Sequence, residues 1–251
     1  MNEKQYISSL TETYISDLDE NNKYYYWKKK ECVSKYAKFV EGSNRKRATK
    51  LLELGCSMGA STKEWVDLVD EVTCVEGAAE LIKQSKKVNG LENVIFINCL
   101  FEEMEFDNQF DYVVADHVFE HVDNIDEILL KCHKALNQSG LLFAAVPNAH
   151  AFSRQMAVEM ELLDNIYELT ENDTKYGHRR VFDRETFEDV IKKNNFKIIE
   201  SGGSFFKPFA DFQLKKMIET EIIGDNELSG LVKMGRVYPH LCEGLYVIAK
   251  K

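Results

Sequence analysis

Short apolar runs alternate along the middle of the chain with segments whose apolar positions recur every three or four residues. The runs are Leu51 to Leu54, EVTCVE at 71–76, NVIFINC at 93–99, FDYVVAD at 110–116 and GLLFAAVPN at 140–148, each of buried-strand length. Segments 61–69, 78–88 and 124–137 lie between them and carry helical spacing. Strands alternating with single helices require crossover connections, so the pattern predicts a parallel, doubly wound α/β sheet. Upstream, 5–41 reads as helical, with the aromatic and lysine-rich KYYYWKKK at 23–30 and a basic turn, GSNRKRATK, after it. Downstream, 151–176 reads as a long polar helix, FKIIESGGSFFKP precedes a further helix, and EGLYVIAKK closes the chain. No repeat, low-complexity tract or Pro/Gly-rich linker divides it, so residues 1–251 are expected to form a single domain.

Composition narrows the classes. A net charge of −10 with acids and bases mixed along the chain lacks the concentrated basic surface that nucleic acids require. The six cysteines show neither C-x-x-C nor disulfide-framework spacing and read as reduced thiols. The N-terminus is polar and acidic, unlike a signal peptide, and no apolar run approaches a membrane span. A cytoplasmic protein without a membrane or nucleic-acid partner is expected; the oligomeric state is not legible.

The first crossover carries the clearest chemistry. LLELGCSMGAST places Gly55 and Gly59 in the turn after the first strand, with Glu53 just before. Glycine lets a backbone turn sharply and approach a ligand without a Cβ in the way. At the carboxyl end of a doubly wound sheet such a turn borders the ligand crevice. The second run ends in Glu76, whose carboxylate can accept hydrogen bonds from two vicinal ribose hydroxyls. Taken alone, each feature has a plain alternative, a tight turn or a solvated acid. Together they specify a nucleoside-bearing cofactor. A dinucleotide is disfavoured, because the turn is G-x-x-x-G rather than G-x-G-x-x-G.

DHVFEHVDN at 116–124 contains H-x-x-E-H, the literal zinc signature of inverted metalloproteases. His117 directly follows an apolar strand, however, so His117 and His121 sit in a strand-to-helix turn and need not share a helical face. No downstream acid stands out as a third ligand. No metal is expected.

These pieces resemble the class I S-adenosylmethionine-dependent methyltransferases, especially the small-molecule branch that includes the quinone-biosynthesis O-methyltransferases. LLELGCSMG resembles the family's first motif, acid-x-G-x-x-x-G; VTCVEGA resembles the second, with Glu76 as its ribose acid. FDYVVADHVFEHVDN resembles the fourth strand and following turn, SGLLFAAVPNA the fifth strand, and GHRRVFDRETFEDVIKKNNFKIIESGGSF the late helix and sixth strand. The resemblance covers 48–150 closely and 176–250 more loosely. It implies a seven-stranded sheet of order 3-2-1-4-5-7-6 with strand 7 antiparallel. It also implies an N-terminal helical cap (1–47), a cofactor-binding half (48–150), and an acceptor-side insertion after strand 5 with the C-terminal half (151–251). The cofactor residues it implies are Glu53, Gly55, Cys56, Ser57, Gly59, Glu76, Gly77, Asp116 and His117. Where many members carry an acid after the third strand, this chain has Leu100. Adenine is then expected against the Phe101 backbone and apolar contacts, with Glu102 beside it.

Methyl transfer from a sulfonium is a direct displacement, so the protein must chiefly align the nucleophile and exclude water, worth roughly 7–11 kcal/mol. A hydroxyl acceptor also needs a base, and His117, His121 and His178 are the candidates, since histidine titrates near neutrality. A ring packed beneath the turn is the structural alternative for His121. Acceptor contacts are expected from Tyr25, Asn148, Arg154, His178, Arg180 and Lys207. The cationic bias of this region, in an acidic chain, points to an anionic small-molecule acceptor, carrying phosphate or carboxylate, methylated at oxygen. A neutral hydroxyl, an amine or amino sugar, and a non-catalytic cofactor-binding module are the alternatives.

Overall fold

The computed structural model describes residues 3–17, 23–41 and 49–251. Two helices, α1 (Glu3–Asp17) and α2 (Lys23–Glu41), precede the sheet. The basic turn expected after α2 lies outside the described residues up to position 48. The alternating core then follows: β1 (Lys50–Leu54), α3 (Ala60–Val66), β2 (Glu71–Val75), α4 (Ala79–Ser85), β3 (Ile95–Ile97), β4 (Phe110–Asp116), α5 (Ile125–Ala135) and β5 (Leu136–Pro147). The C-terminal part comprises α6 (Phe152–Glu159), α7 (Glu171–Lys175), α8 (Arg184–Lys193), β6 (Lys197–Gly203), α9 (Asp211–Glu219), α10 (Asp225–Val237) and β7 (Gly244–Lys250).

The strands lie in the order β3-β2-β1-β4-β5-β7-β6. Strands β1 to β5 pair in parallel, while β7 runs antiparallel to both β5 and β6. The order and the reversed strand agree with the expected topology. The central strands carry continuous buried stretches, at 51–54 in β1, 110–115 in β4 and 142–146 in β5, because helices cover both sheet faces. Side chains of β4 alternate between the layers. Val113 and Ala115 join Leu52, Leu142, Ile128 and Phe187 under α5 and α8. Tyr112 and Val114 join Leu51, Trp65 and Phe143 under α2 and α3. Tyr36 of α2 is 1% exposed and stacks on Phe143 with ring centroids 4.7 Å apart. This helix therefore forms part of one covering layer.

Two elements differ from expectation. The single helix expected before the last strand is two, α9 and α10. The segment 151–176 is two short helices, α6 and α7, separated by an irregular stretch. The sequence of that stretch explains the break. Glu161 adopts φ 58°, which ends α6, and Thr170 with Asp173 forms a capping box that starts α7.

Candidate active site

Strand order reverses between β1 and β4, and an open crevice forms at the carboxyl ends of strands around such a switch point. A cavity of about 600 Å³ lies there. The turn after β1 supplies Gly55 and Ser57 to its wall, and the residues after β2 supply Glu76 and Gly77. Gly55 sits at φ 77° and donates its N–H to the Val75 carbonyl at 2.8 Å, which ties the turn to β2. A Cβ here would point toward Phe101 and Val118 across the cavity. Gly59, at φ 78°, does other work: a Cβ would lie 3.1 Å from Leu91 and 3.3 Å from Ser85, so this glycine permits the packing of α3.

Two carboxylates are built into this corner. Glu53 is 1% exposed and accepts hydrogen bonds from Ser61 Oγ at 2.7 Å and Thr62 Oγ1 at 2.6 Å. Burial pushes its pKa up to about 7 against those two bonds. It stands behind the cavity wall, as does Cys56, which donates its thiol to Glu76 at 3.9 Å. Glu76 itself lines the cavity and accepts the Ala78 N–H at 2.9 Å. Burial raises its pKa, opposed by the amides of Ala78, Ser57, Cys56 and Gly77 that face the carboxylate. Leu100, Phe101 and Glu102 border the same end, in a short helical turn stabilised by the Leu100 N–H donating to Glu103.

The fit to a nucleoside-bearing cofactor follows from these contacts. A carboxylate faces the cavity from the end of β2, an apolar ring lies beside it, and the glycine turn leaves its approach open. Gly55, Ser57, Glu76, Gly77 and Phe101 are the residues that would hold such a group.

The opposite end is acidic and basic in equal measure. Asp116, at the end of β4, accepts from Lys29 Nζ at 2.6 Å and from His117 Nδ1 at 2.8 Å. Burial opposes its ionisation, yet Lys29 and His117 outweigh it and hold the carboxyl well below the usual range. Lys28 pairs with Glu243 at 2.8 Å, and Lys207 bridges Glu243 at 3.0 Å and Asp211 at 3.1 Å. Tyr24, Tyr25, Trp27 and Phe205 add aromatic wall.

His121 and His178 meet along a third side, rings edge-on with centroids 4.8 Å apart. His121 Nδ1 faces the Gly177 carbonyl at 3.3 Å, and burial pulls its pKa down to about 4, with Glu120 opposing. His178 Nδ1 donates to Asp173 Oδ1 at 2.9 Å. The H-x-x-E-H string forms no helix: 117–122 is turn and coil, and α5 begins at Ile125. Its two histidines do not pair as a zinc couple, since His117 turns to Asp116 and His121 to Gly177. A different set comes together instead, without His117 and with a downstream histidine rather than an acid. Glu120, His121 and His178 each offer one ligand atom within 4.8 Å of the others, so this set can hold a metal ion. The Glu120 side chain is fully buried, with no hydrogen-bond partner for either oxygen among the described residues.

Four expected acceptor residues do not reach the wall. Asn148 donates to the carbonyls of His240 and Cys242, which locks the turn before β7. Arg154 pairs with Asp173 at 2.5 Å and with the Glu168 carbonyl. Arg180 donates to the Phe119, Val122 and Asp123 carbonyls, clamping the turn after β4. Lys207 is held in its ion pairs. Conversely, the cavity recruits residues that sequence reading passed over. Tyr6, Ile7, Leu10 and Tyr14 of α1 cover one side, and Lys28, Lys29, Asp211 and Glu243 another. The i, i+3, i+7 spacing of Ile7, Leu10 and Tyr14 was the available signal for α1. The lysines gave none, because their partners are distant in sequence.

Comparison with known proteins then decides the family, since the model of the methyltransferase domain matches residues 24–201. The chain belongs to the methyltransferase domain family. Its cofactor is S-adenosylmethionine, as the motifs implied. Among curated relatives, the chain is similar to the mitochondrial ubiquinone biosynthesis O-methyltransferase of Rattus norvegicus. They are 25% identical over 170 residues, 65% of this chain and 48% of the relative. The chain thus spans about half the length of the mammalian relatives it matches. A ubiquinone biosynthesis O-methyltransferase from Bradyrhizobium sp. is 24% identical over 82% of this chain and 76% of its own length. Among solved structures, a SAM-dependent methyltransferase from Archaeoglobus fulgidus shares the fold, with a TM-score of 0.57, 16% identity, and coverage of 88% of this chain and 92% of that one.

Proposed function

We propose that the methyltransferase transfers the methyl group of S-adenosylmethionine to a hydroxyl oxygen of a small molecule. The observation that carries this reading is the single cavity wall joining the Gly55–Glu76 corner to the aromatic and polar end around Tyr25, Asp116 and His117. When bound, the cofactor supplies an electrophilic methyl group on a sulfonium. The chain's residues bind its ribose at Glu76, hold its methionine side near Gly55 and Asp116, and shield the transfer from water beneath α1 and α2. The names of the relatives favour oxygen as the acceptor atom.

An anionic acceptor was expected from the cationic set Arg154, His178, Arg179, Arg180 and Lys207. His178 lines the cavity but is bound to Asp173, and Arg179 pairs with Asp123 off the wall. Arg154, Arg180 and Lys207 are likewise bound within the protein and stand off the cavity wall. Of the lysines on the wall, Lys28 and Lys29 are neutralised by Glu243 and Asp116, and Tyr24, Tyr25, Trp27 and Phe205 line it beside them, which favours a neutral, planar acceptor. Cytoplasmic location belongs to the same reading: all six cysteines are free, and no described helix is long and apolar enough to cross a membrane.

The test is incubation with S-adenosylmethionine and paired panels of neutral and carboxylated or phosphorylated phenols, with product mass read for one added methyl group. Methylation of the neutral panel is expected. Turnover confined to the anionic panel, with KM raised by Arg154→Ala, would restore the anionic acceptor. Binding of S-adenosylhomocysteine without any turnover would favour a non-catalytic module.

A further inference from the structure

Removing a proton from a hydroxyl acceptor needs a base, and three histidines face the cavity in different settings. His121 is held at a carbonyl, and burial leaves it a weak base. His178 is tied through Asp173 to Thr170 and Arg154, which knits α6 to the α7 turn. His117 stands apart, on the acceptor side at the end of β4. Its backbone is held at φ 59°, a conformation that residues other than glycine adopt rarely and mostly where surrounding structure enforces it. Its ring is the most open of the three, with the side chain 34% exposed. Asp116, 7% exposed, is ionised and can only accept, so the 2.8 Å contact makes Nδ1 the protonated nitrogen and leaves the Nε2 lone pair free. Lys29, on α2, fixes the other carboxylate oxygen at 2.6 Å.

We propose that His117 is the general base of the transfer, a catalytic residue, with Asp116 and Lys29 as the residues that position it for a neutral hydroxyl acceptor. The assignment rests on the O-methylation reading above. The acceptor oxygen bonds to the methyl carbon as the carbon–sulfur bond breaks, its electron pair remaining on sulfur. The hydroxyl proton passes to Nε2 of His117, and the imidazolium later releases it to solvent at the cavity mouth. Asp116 stays ionised throughout and stabilises the imidazolium. The charged and titratable groups around the ring are Asp116 from β4, Lys29 behind it from α2, Asp211 from α9, and His121 from the same turn.

Two opposed substitutions test this. Asp116→Asn removes the negative charge, so the acid limb of kcat/KM with catechol as acceptor moves to lower pH and kcat falls. Lys29→Met removes the positive charge, so the limb moves to higher pH. His117→Asn, which tolerates the left-handed backbone, lowers kcat by about 10²–10⁴-fold, the usual share of a general base. A thermal melt and near-ultraviolet circular dichroism of each variant report whether the site is still assembled. Nitrogen NMR of the His117 ring in the acceptor-free protein reads the same chemistry without turnover. It is expected to show Nδ1 protonated in the parent and opposite titration shifts in the two charge variants. A ring indifferent to Asp116 overturns the pairing, and an acid limb abolished by His121→Gln or His178→Gln but not by His117→Asn overturns the base. Ring shifts as expected but no methylation of any hydroxyl refute the O-methylation reading, and the base role with it.

Discussion

Glu76→Ala isolates the contact that most directly commits the cavity to a nucleoside. In the parent, the carboxylate is 6% exposed, faces the cavity and accepts the Ala78 N–H at 2.9 Å. Bound ribose adds two hydroxyl donors to a charged acceptor, worth about 1.5 kcal/mol each. Part of that gain is offset because burial already disfavours the charged form, raising the pKa in the free protein. The net loss is therefore about 2–3 kcal/mol, a 30–150-fold weaker Kd at roughly 1.4 kcal/mol per decade. Glu76→Gln keeps the shape and one acceptor oxygen and should lose about half as much on the same scale. Neither variant gives up a stabilising charge, so the thermal midpoint without ligand should fall by no more than the lost Ala78 bond accounts for, about 1 kcal/mol. Calorimetry with S-adenosylhomocysteine supplies the affinity and a thermal melt supplies the control. Unchanged affinity in Glu76→Ala would refute the ribose assignment, and tighter binding of NAD than of S-adenosylhomocysteine would replace the cofactor altogether.

Glu53 should make stability pH-dependent. Burial raises its pKa from 4.5 to about 7, so the folded chain binds this proton more tightly than the unfolded chain. Its contribution is fully present below the unfolded value and is lost as pH rises through the folded one, on the order of 3 kcal/mol. Urea unfolding of the parent should therefore weaken relative to Glu53→Gln between pH 5 and 8, and parallel pH profiles would contradict the burial argument. We propose that 1–251 unfolds as one domain: Tyr36→Ala, which empties the stack against Phe143 and Trp65, should cost about 3–5 kcal/mol in a single transition. A separate early melting of α2 would make it a detachable cap. No metal requirement is expected, because the displacement ends in a neutral thioether; activity lost to chelation and restored by a divalent ion would assign Glu120, His121 and His178 as its ligands.

The chain's own pattern determined the sheet and the cofactor corner. Strand–helix alternation is local, and burial on both faces writes β1, β4 and β5 as largely apolar runs. The positive-φ turn at Gly55 and the acid at the end of β2 are likewise short-range features, legible because a ribose site needs a glycine turn and a carboxylate at adjacent strand ends. The acceptor end followed no such rule. Arg154, Arg180 and Lys207 looked available because sequence records a charge but not its partner, and Asp173, the Phe119–Val122 carbonyls and Glu243 satisfied them only once the chain had folded. The same blindness hid Lys29, 87 residues from the Asp116 it holds, and the meeting of His178, in the turn after α7, with His121 and Glu120. Which histidines meet one another, and which cation faces the cavity, are contacts between distant segments. Only tertiary packing decides them, because the energy of a buried charge depends on its neighbours in space.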